Sequence, residues 1–144
     1  MEPVDYTDTF IAVAEDCAAT AGEAPVSRGA VPSVAAHTYR LVAEHPYELT
    51  SGDVIFTVHA DRRGIPEAER PAARAAFYAK GQPCLRASDL GKRYGWGVHA
   101  DAAGRIALVG VETPEYAELA AGRPADGSGP PVTVTRAMRT KRAR

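Results

Sequence analysis

The stretch Trp96-Gly-Val-His-Ala-Asp-Ala-Ala-Gly-Arg-Ile-Ala-Leu-Val-Gly-Val111 decides the fold most directly, because it has the pattern of a β-hairpin. Two runs rich in apolar residues flank the turn sequence Asp101-Ala-Ala-Gly104. The aspartate suits the start of a turn, and the glycine stands where a positive φ is needed. We therefore expect a small antiparallel sheet that includes this C-terminal hairpin, at about residues 96–111.

Upstream of the hairpin, the sequence predicts one strand followed by three helices. The strand covers residues 8–14, in which the side chains of one face alternate with those of the other. The first helix covers residues 34–44 and follows Ser33, a preferred N-cap residue. The third covers about 66–80, and Pro71 within it predicts a kink or a restart because proline removes one helical hydrogen bond.

The second of these helices, residues 50–63, has conflicting patterns. Its central run, residues 54–58, is β-branched and typical of a strand. Against that, Thr50 and Asp53 have the spacing of a capping box, and Gly64 suits the residue that follows a helix. The two ends agree, so a helix is favoured. The expected fold class is α+β, with three helices inserted between the first strand and the hairpin.

Shorter elements complete the predicted domain. Residues 84–87 have the composition of a short strand, and Ser88 is placed to cap a single helical turn. We expect a single α+β domain over residues 1–121 and a flexible basic tail over 122–144, since the latter is rich in Gly and Pro and lacks apolar periodicity. Its run 132–135, Val-Thr-Val-Thr, is compatible with a short edge strand.

Composition restricts the class of protein and its compartment. The chain has 144 residues, 45% of them hydrophobic, and a net charge of −1. No apolar run approaches the length of about 18 residues that spans a bilayer, and no secretory signal pattern opens the chain. Two cysteines in a chain of this length predict free thiols rather than a disulfide framework. We expect a cytoplasmic protein with no membrane association, no metal and no cofactor.

The small net charge results from three unequal blocks. Residues 1–61 carry a net −8, residues 62–105 a net +5 and residues 106–144 a net +2. Two interpretations stay open: the blocks neutralise each other within the fold or across a homodimer, or the basic block forms an anion-binding face.

The segment 81–99 has the densest chemistry and lies in the basic block. It contains cations for a phosphate or carboxylate, aromatic faces for stacking, and glycines that allow close approach of a ligand. The best functional hypothesis is that this segment binds a small anionic ligand or an acidic partner. Its candidate binding residues are Arg86, Lys92, Arg93, Tyr94 and Trp96. Alternatively, Trp96 fills the core while Gly95 and Gly97 relieve crowding around it.

Cysteine chemistry is the enzymatic alternative. Cys84 lies near three cations in the sequence, which would stabilise a thiolate, and His99 or His59 is the candidate base. A redox pair of Cys84 with Cys17 is a further option. The competing interpretation is a packed thiol, because cysteine is among the most buried residue types. We expect binding rather than catalysis.

A third alternative is a nucleic-acid-binding module. Three helices followed by a hairpin is the element order of a winged-helix domain, in which the basic helix at 66–80 would enter the major groove. The charge argues against this, since residues 1–124 carry twelve bases and seventeen acids, a net −5. Nucleic acid is therefore an unlikely partner.

Several motifs resemble those of a family of short bacterial proteins grouped as a domain of unknown function. They are Asp8-Thr-Phe-Ile with Ala14-Glu-Asp-Cys17, Pro46-Tyr47 before Thr50-Ser51 and Asp53-Val-Ile-Phe56, Gly81-Gln-Pro-Cys-Leu-Arg-Ala-Ser88, and Lys92-Arg-Tyr-Gly-Trp-Gly-Val-His99. The likeness covers about residues 5–120. It implies a compact bacterial domain and carries over no activity, cofactor or catalytic residue.

Overall fold

The computed structural model describes residues 1–141 and shows an α+β fold built on one sheet. The sheet has four strands in the order β3-β2-β1-β4. The pairs β1–β2 and β2–β3 are antiparallel, whereas β4 pairs parallel to β1. The sheet is therefore mixed, and the predicted α+β class and antiparallel hairpin are confirmed. The strands are β1 (Thr9–Ala12), β2 (Trp96–Ala100), β3 (Ile106–Gly110) and β4 (Thr133–Arg136).

The helices follow the predicted order. Three of them lie between β1 and the hairpin, and a single turn, α4, precedes β2. A 3₁₀ turn at Glu67–Glu69 leads into the third helix, so Pro71 lies in a first helical turn, where its missing N–H costs nothing. The helices are α1 (Val34–Glu44), α2 (Ser51–Arg63), α3 (Arg70–Ala79), α4 (Asp89–Lys92) and α5 (Pro114–Ala120).

Helix α2 forms despite its β-branched centre because both of its ends are capped. The Asp53 amide donates to Thr50 Oγ1 at 3.1 Å, and the Thr50 amide donates to the Asp53 carboxylate at 3.0 Å. Gly64 ends the helix with φ of 63°, in the left-handed region that glycine adopts without strain. The capping-box prediction is confirmed.

Two hydrophobic clusters cover the two faces of the sheet. On one face, Ile11 and Val98 pack with Val42 of α1 and Val54 of α2. On the other face, Phe10 packs with Leu119 of α5 and with other residues of a second cluster. Successive strand residues point to opposite faces, so adjacent side chains of β1 enter different clusters.

The predicted short strand at residues 84–87 is wrong. Residues Leu85–Ala87 form a 3₁₀ turn in which the Ser88 amide donates to the Leu85 carbonyl at 3.1 Å. The Ala87 amide likewise donates to the Cys84 carbonyl at 3.0 Å, and Leu85 is buried against the α1–α2 side of the core. The apolar composition of this run indicates that it is buried, and a buried run can be a helical turn as well as a strand.

The C-terminal segment differs from the expected flexible tail. Residues 133–136 form β4, and Val132 and Ala137 on either side of it are buried. The compatible edge strand is therefore formed, and it pairs with β1 instead of extending the hairpin. The Gly- and Pro-rich stretch 122–131 spans the distance between α5 and this strand. The predicted tail residues 142–144 lie outside the described residues.

No helix within residues 1–141 is both long enough and apolar enough to cross a membrane.

Candidate functional site

The structure joins two basic segments that are distant in the sequence. The Met138 amide donates to the Arg86 carbonyl at 2.8 Å, and Arg86 Nε donates to the Arg136 carbonyl at 2.7 Å. Further along, Thr140 Oγ1 donates to the Lys92 carbonyl at 3.4 Å. The resulting basic surface carries six cations, namely Arg86, Lys92, Arg93, Arg136, Arg139 and Lys141.

Two carboxylates hold the C-terminal part of this surface in place. Asp16 accepts the backbone amides of Thr140 and Lys141 at 3.0 Å each, and these hydrogen bonds lower the pKa of its carboxyl. Glu15 forms ion pairs with Arg139 at 2.7 Å and with Arg136 at 3.7 Å. The basic surface thus depends on the 15–16 loop for its shape, while its cations outnumber these two carboxylates.

An open pocket of about 370 Å³ lies within the basic surface. Lys92, Arg93 and Lys141 line it, together with Asp16. Within residues 1–141, none of these three cations forms an ion pair with a carboxylate, and neither does Arg86. Three charges without carboxylate partners around one depression create a positive potential that favours an anion.

Tyr94 and Trp96, the aromatic candidates, lie apart from this pocket. Trp96 Nε1 donates to the Glu23 carbonyl at 2.8 Å, and the Glu23 amide donates to the Tyr94 carbonyl at 2.9 Å. The indole packs against Gly22 and lies 5.5 Å from the Tyr39 ring. The loop before α1 therefore covers the indole face that the ligand hypothesis assigned to stacking.

Gly97 supports the alternative that the glycines of this segment relieve crowding. A Cβ at this position would collide with the Phe10 ring of the neighbouring strand, because that ring lies over Gly97. The close approach lets the Phe10 ring pack edge-on against Tyr116 at 5.0 Å.

Cys84 lies in the wall of a second, mostly apolar pocket of about 260 Å³. Its Sγ is 3.3 Å from Tyr6 Oη. Burial and this hydrogen bond raise the pKa of Tyr6 to about 12, so the phenol stays protonated at neutral pH and cannot serve as a base. Cys17 and Cys84 are both free thiols.

His99 lies on the opposite side of the sheet from Cys84. It pairs with Phe10 across the strands, and both side chains face the α5 side, whereas Leu85 beside Cys84 packs on the other face. His99 Nδ1 is 2.8 Å from Tyr47 Oη, in a pocket of about 420 Å³. Burial lowers the pKa of His99, which keeps the imidazole neutral at pH 7.

His59, the other candidate base, does not line the Cys84 pocket. It stacks on Phe77 at 4.4 Å between ring centroids. Burial, and to a lesser extent the neighbouring Arg63, lowers the pKa of His59. The described residues therefore place no histidine beside Cys84, and the nucleophile hypothesis stays a prediction without a base.

The arginines of α3, which the winged-helix hypothesis would direct at DNA, are occupied within the fold. Arg70 pairs with Asp61 at 2.9 Å, and Arg74 pairs with Asp53 at 2.9 Å and with Glu2 at 3.4 Å. The hairpin strand β2 is central in the sheet, between β1 and β3, and is not a projecting wing. These ion pairs join the basic block to the acidic block within the fold, which is one of the two interpretations that the charge distribution left open.

Thr140 and Lys141 are the site residues that sequence reasoning missed. Lys141 belongs to the C-terminal group of basic residues in the sequence, but its position beside Lys92 depends on the non-local pairing of β4.

Among residues 1–141, no three His, Cys, Asp or Glu side chains gather in a way that could hold a metal ion.

Fold and surface together define a small α+β protein that presents a cationic surface at the end of a mixed sheet. The chain belongs to the family of unknown function DUF6157, whose family model matches residues 1–143. This match also includes the segment after residue 120, to which the resemblance in the motifs did not extend. No curated protein and no solved structure matches the chain.

Proposed function

We propose that the protein binds an anionic ligand, one that carries a phosphate or carboxylate group, through the basic surface. The observation that supports this most is the convergence of Lys92, Arg93 and Lys141 on one open pocket, with no carboxylate partner for any of them among the described residues. The basic segment 81–99 contributes two of the three cations. The third, Lys141, comes from the C-terminal segment, which the pairing of β4 with β1 places beside Lys92.

The donor groups around the pocket suit a small ligand that carries a phosphate or carboxylate group. Lysine supplies point charges with rotatable donors, while arginine supplies a planar fork that matches phosphate or carboxylate oxygens. Thr140, whose hydroxyl donates to the Lys92 carbonyl, also lines the pocket. Asp16 already accepts two amides, so its negative charge is partly compensated before a ligand arrives.

Binding of inorganic pyrophosphate, measured by isothermal titration calorimetry at low salt, tests the proposal. Each exposed charge contact is worth about 0.2–1 kcal/mol, so Arg93→Gln should weaken binding about 1.4- to five-fold. The double variant Lys92→Gln/Arg93→Gln should weaken it further, and affinity should fall as salt rises.

Arg105→Gln is the matched control, because Arg105 is exposed on the hairpin turn, outside this pocket. It should bind pyrophosphate as the wild type does. A titration with an acidic peptide separates the two ligand sources: a peptide that binds while pyrophosphate does not would favour an acidic protein partner over a small ligand. Equal binding by all variants, or none by the wild type, would contradict the proposal.

A further inference from the structure

A continuous groove runs along one side of α2 and shares no lining residue with the pocket of the basic surface. Three adjoining depressions form it. The first, at Cys84, shares Val34, Ile55 and Val58 with the second, and the second shares His59, Arg63 and Phe77 with the third. The three have volumes of about 260, 370 and 560 Å³ respectively. We call this feature the α2 groove.

The side of α2 that lines the groove is buried at Val58, half-buried at Ile55 and His59, and exposed at Arg62 and Arg63. Ile55, Val58, His59, Arg62 and Arg63 follow the spacing i, i+3, i+4, i+7 and i+8, so they lie on one side of the helix. The opposite side contributes Val54 and other buried residues to the core. The stripe that faces the groove thus changes from aliphatic to cationic along the helix.

The two ends of the groove differ in chemistry. The Cys84 end is apolar, and its rim includes Val34, whose surface is 55% exposed. The other end is cationic: Arg63 and Lys80 line it and, within residues 1–141, form no ion pair with a carboxylate. In the described chain, the carboxylate that lines the groove is Asp89, and it lies at the Cys84 end.

We propose that the α2 groove binds an amphipathic anion, a ligand with an aliphatic body and one carboxylate or phosphate head. The body lies over Val34, Ile55 and Val58, and the head lies at Arg63. A rise of 1.5 Å per residue separates the levels of Ile55 and Arg63 by about 12 Å, a span that a medium-length alkyl chain covers. Asp89 repels an anionic head from the Cys84 end, which sets the ligand's direction.

The apolar end of the groove lies beside an exposed apolar loop. Val34 begins α1 at the groove's rim, and Val31 just before it is 69% exposed. Arg62 Nη1 donates to the carbonyl of Pro32 at 2.6 Å, so this apolar loop is held against the cationic end of α2. Apolar side chains beside a cationic cluster are the complement of an amphipathic anion.

Calorimetric titration of the full chain tests the proposal, with decanoate and decyl phosphate below their micellar concentrations and decanol below its solubility limit. Decanoate or decyl phosphate should bind, and decanol should bind about two- to five-fold more weakly because it lacks the charge that Arg63 contacts. The two anions distinguish a carboxylate head from a phosphate head. No binding by either anion would overturn the proposal, and so would equal affinity for decanol.

Two variants locate the ligand. Arg63→Gln should remove the advantage of decanoate over decanol, whereas Arg105→Gln should preserve it. Val34→Asp should weaken decanoate binding about five-fold, since it replaces apolar surface with a like charge, and the exposed first turn of α1 accommodates an aspartate. Circular dichroism confirms that each variant is folded. Unchanged decanoate binding in both Arg63→Gln and Val34→Asp would overturn the assignment of the site.

Cys84 supplies an independent readout in a Cys17→Ser background. Saturating decanoate should slow alkylation of Cys84 by iodoacetamide, followed by mass spectrometry, because the thiol lies in the wall that the alkyl chain covers. Decanoate that binds without changing this rate, or changes it equally in the Val34→Asp variant, would contradict the placement. Pyrophosphate at the basic surface should leave the rate unchanged, so this test is separate from that of the proposed function.

Discussion

The C-terminal segment offers the sharpest test of the fold, through two valines that differ in burial. Val132 is 9% exposed and packs with Phe10 and Leu119, while Val134 within β4 is 40% exposed. Val132→Ala removes two buried carbon groups, each worth about 0.8 kcal/mol, and leaves a small cavity. The free energy of unfolding should therefore fall by about 1.5–2.5 kcal/mol, and Tm by about 5–8 °C in a domain of this size.

Urea denaturation followed by circular dichroism measures this change. Val134→Ala is the matched control, since exposed substitutions usually change stability by less than about 0.5 kcal/mol. A segment that moved freely in solution would make both substitutions neutral. If Val132→Ala and Val134→Ala leave the urea midpoint equally unchanged, residues 132–136 do not pack on the sheet, and β4 does not hold the C-terminal cations beside Lys92.

Three further predictions concern the caps, the sheet and pH. Thr50→Ala removes the acceptor for the Asp53 amide and should cost about 1 kcal/mol in urea denaturation; an unchanged midpoint would argue against the capping box. Gly97→Ala should cost about 1–3 kcal/mol, because the new methyl group meets the Phe10 ring; a variant as stable as the wild type would show that the strands separate easily. Burial lowers the pKa of His99 below its ordinary value of 6.5, so the unfolded state binds more protons and stability should fall as pH drops below about 6.5. The difference in unfolding free energy between wild type and His99→Gln should shrink over that range, and a difference that grew as pH fell would contradict the sign of the shift.

The local elements were predictable because their determinants are local. The turn at residues 101–104 and the caps of α2 lie within a few residues of the structure they define, so the hairpin and the disputed helix could both be inferred. For α2, the two caps favour a helix more strongly than its β-branched residues favour a strand. The strand preference of such residues depends on packing against neighbouring side chains, and a helix surface also provides that packing. The restart of the helix near Pro71 could be inferred for the same reason, because a proline at the start of a helix removes no hydrogen bond.

The parallel pairing of β4 with β1 was not predictable by the same means. A parallel neighbour arrives through a long connection and leaves no turn signature beside it. The sequence 122–131 resembles a flexible linker in composition, and nothing in it indicates where the chain returns. The register of that pairing, with Thr9 opposite Thr133, carries residues 136–141 to the side of Arg86 and Lys92.

The candidate site was half predictable for this reason. Arg86, Lys92 and Arg93 could be inferred as a cationic group from the sequence, but their partner Lys141 could not. Trp96 lies close to Lys92 in sequence, yet it begins β2, and its indole donates to the loop at residues 22–23 instead of lining the pocket of the basic surface. Lys92 and Arg93 lie close in space as well as in sequence because α4 is a single turn. Proximity in sequence no longer indicates proximity in space from Trp96 onward, where β2 begins.

A pairing of Cys84 with His99 illustrates the same limit. The alternation of a strand places side chains on both faces of the sheet, and only the register of β2 with β1 assigns His99 to the α5 side. There it contacts Tyr47, a residue with φ of 57°, and lines one pocket with Asp8, whose φ is 45°. Both backbone conformations are uncommon for residues other than glycine, and no sequence pattern reveals them.

The central claim is that residues 91–93 and residues 138–141 form one anion-binding surface. Backbone amide shifts in a ¹⁵N-labelled sample, titrated with pyrophosphate at low salt, test it most directly. Amides of both segments should shift together, with a single Kd, and those of the hairpin turn at residues 101–104 should not. Shifts confined to one segment, different Kd values for the two, or none in either would contradict the account.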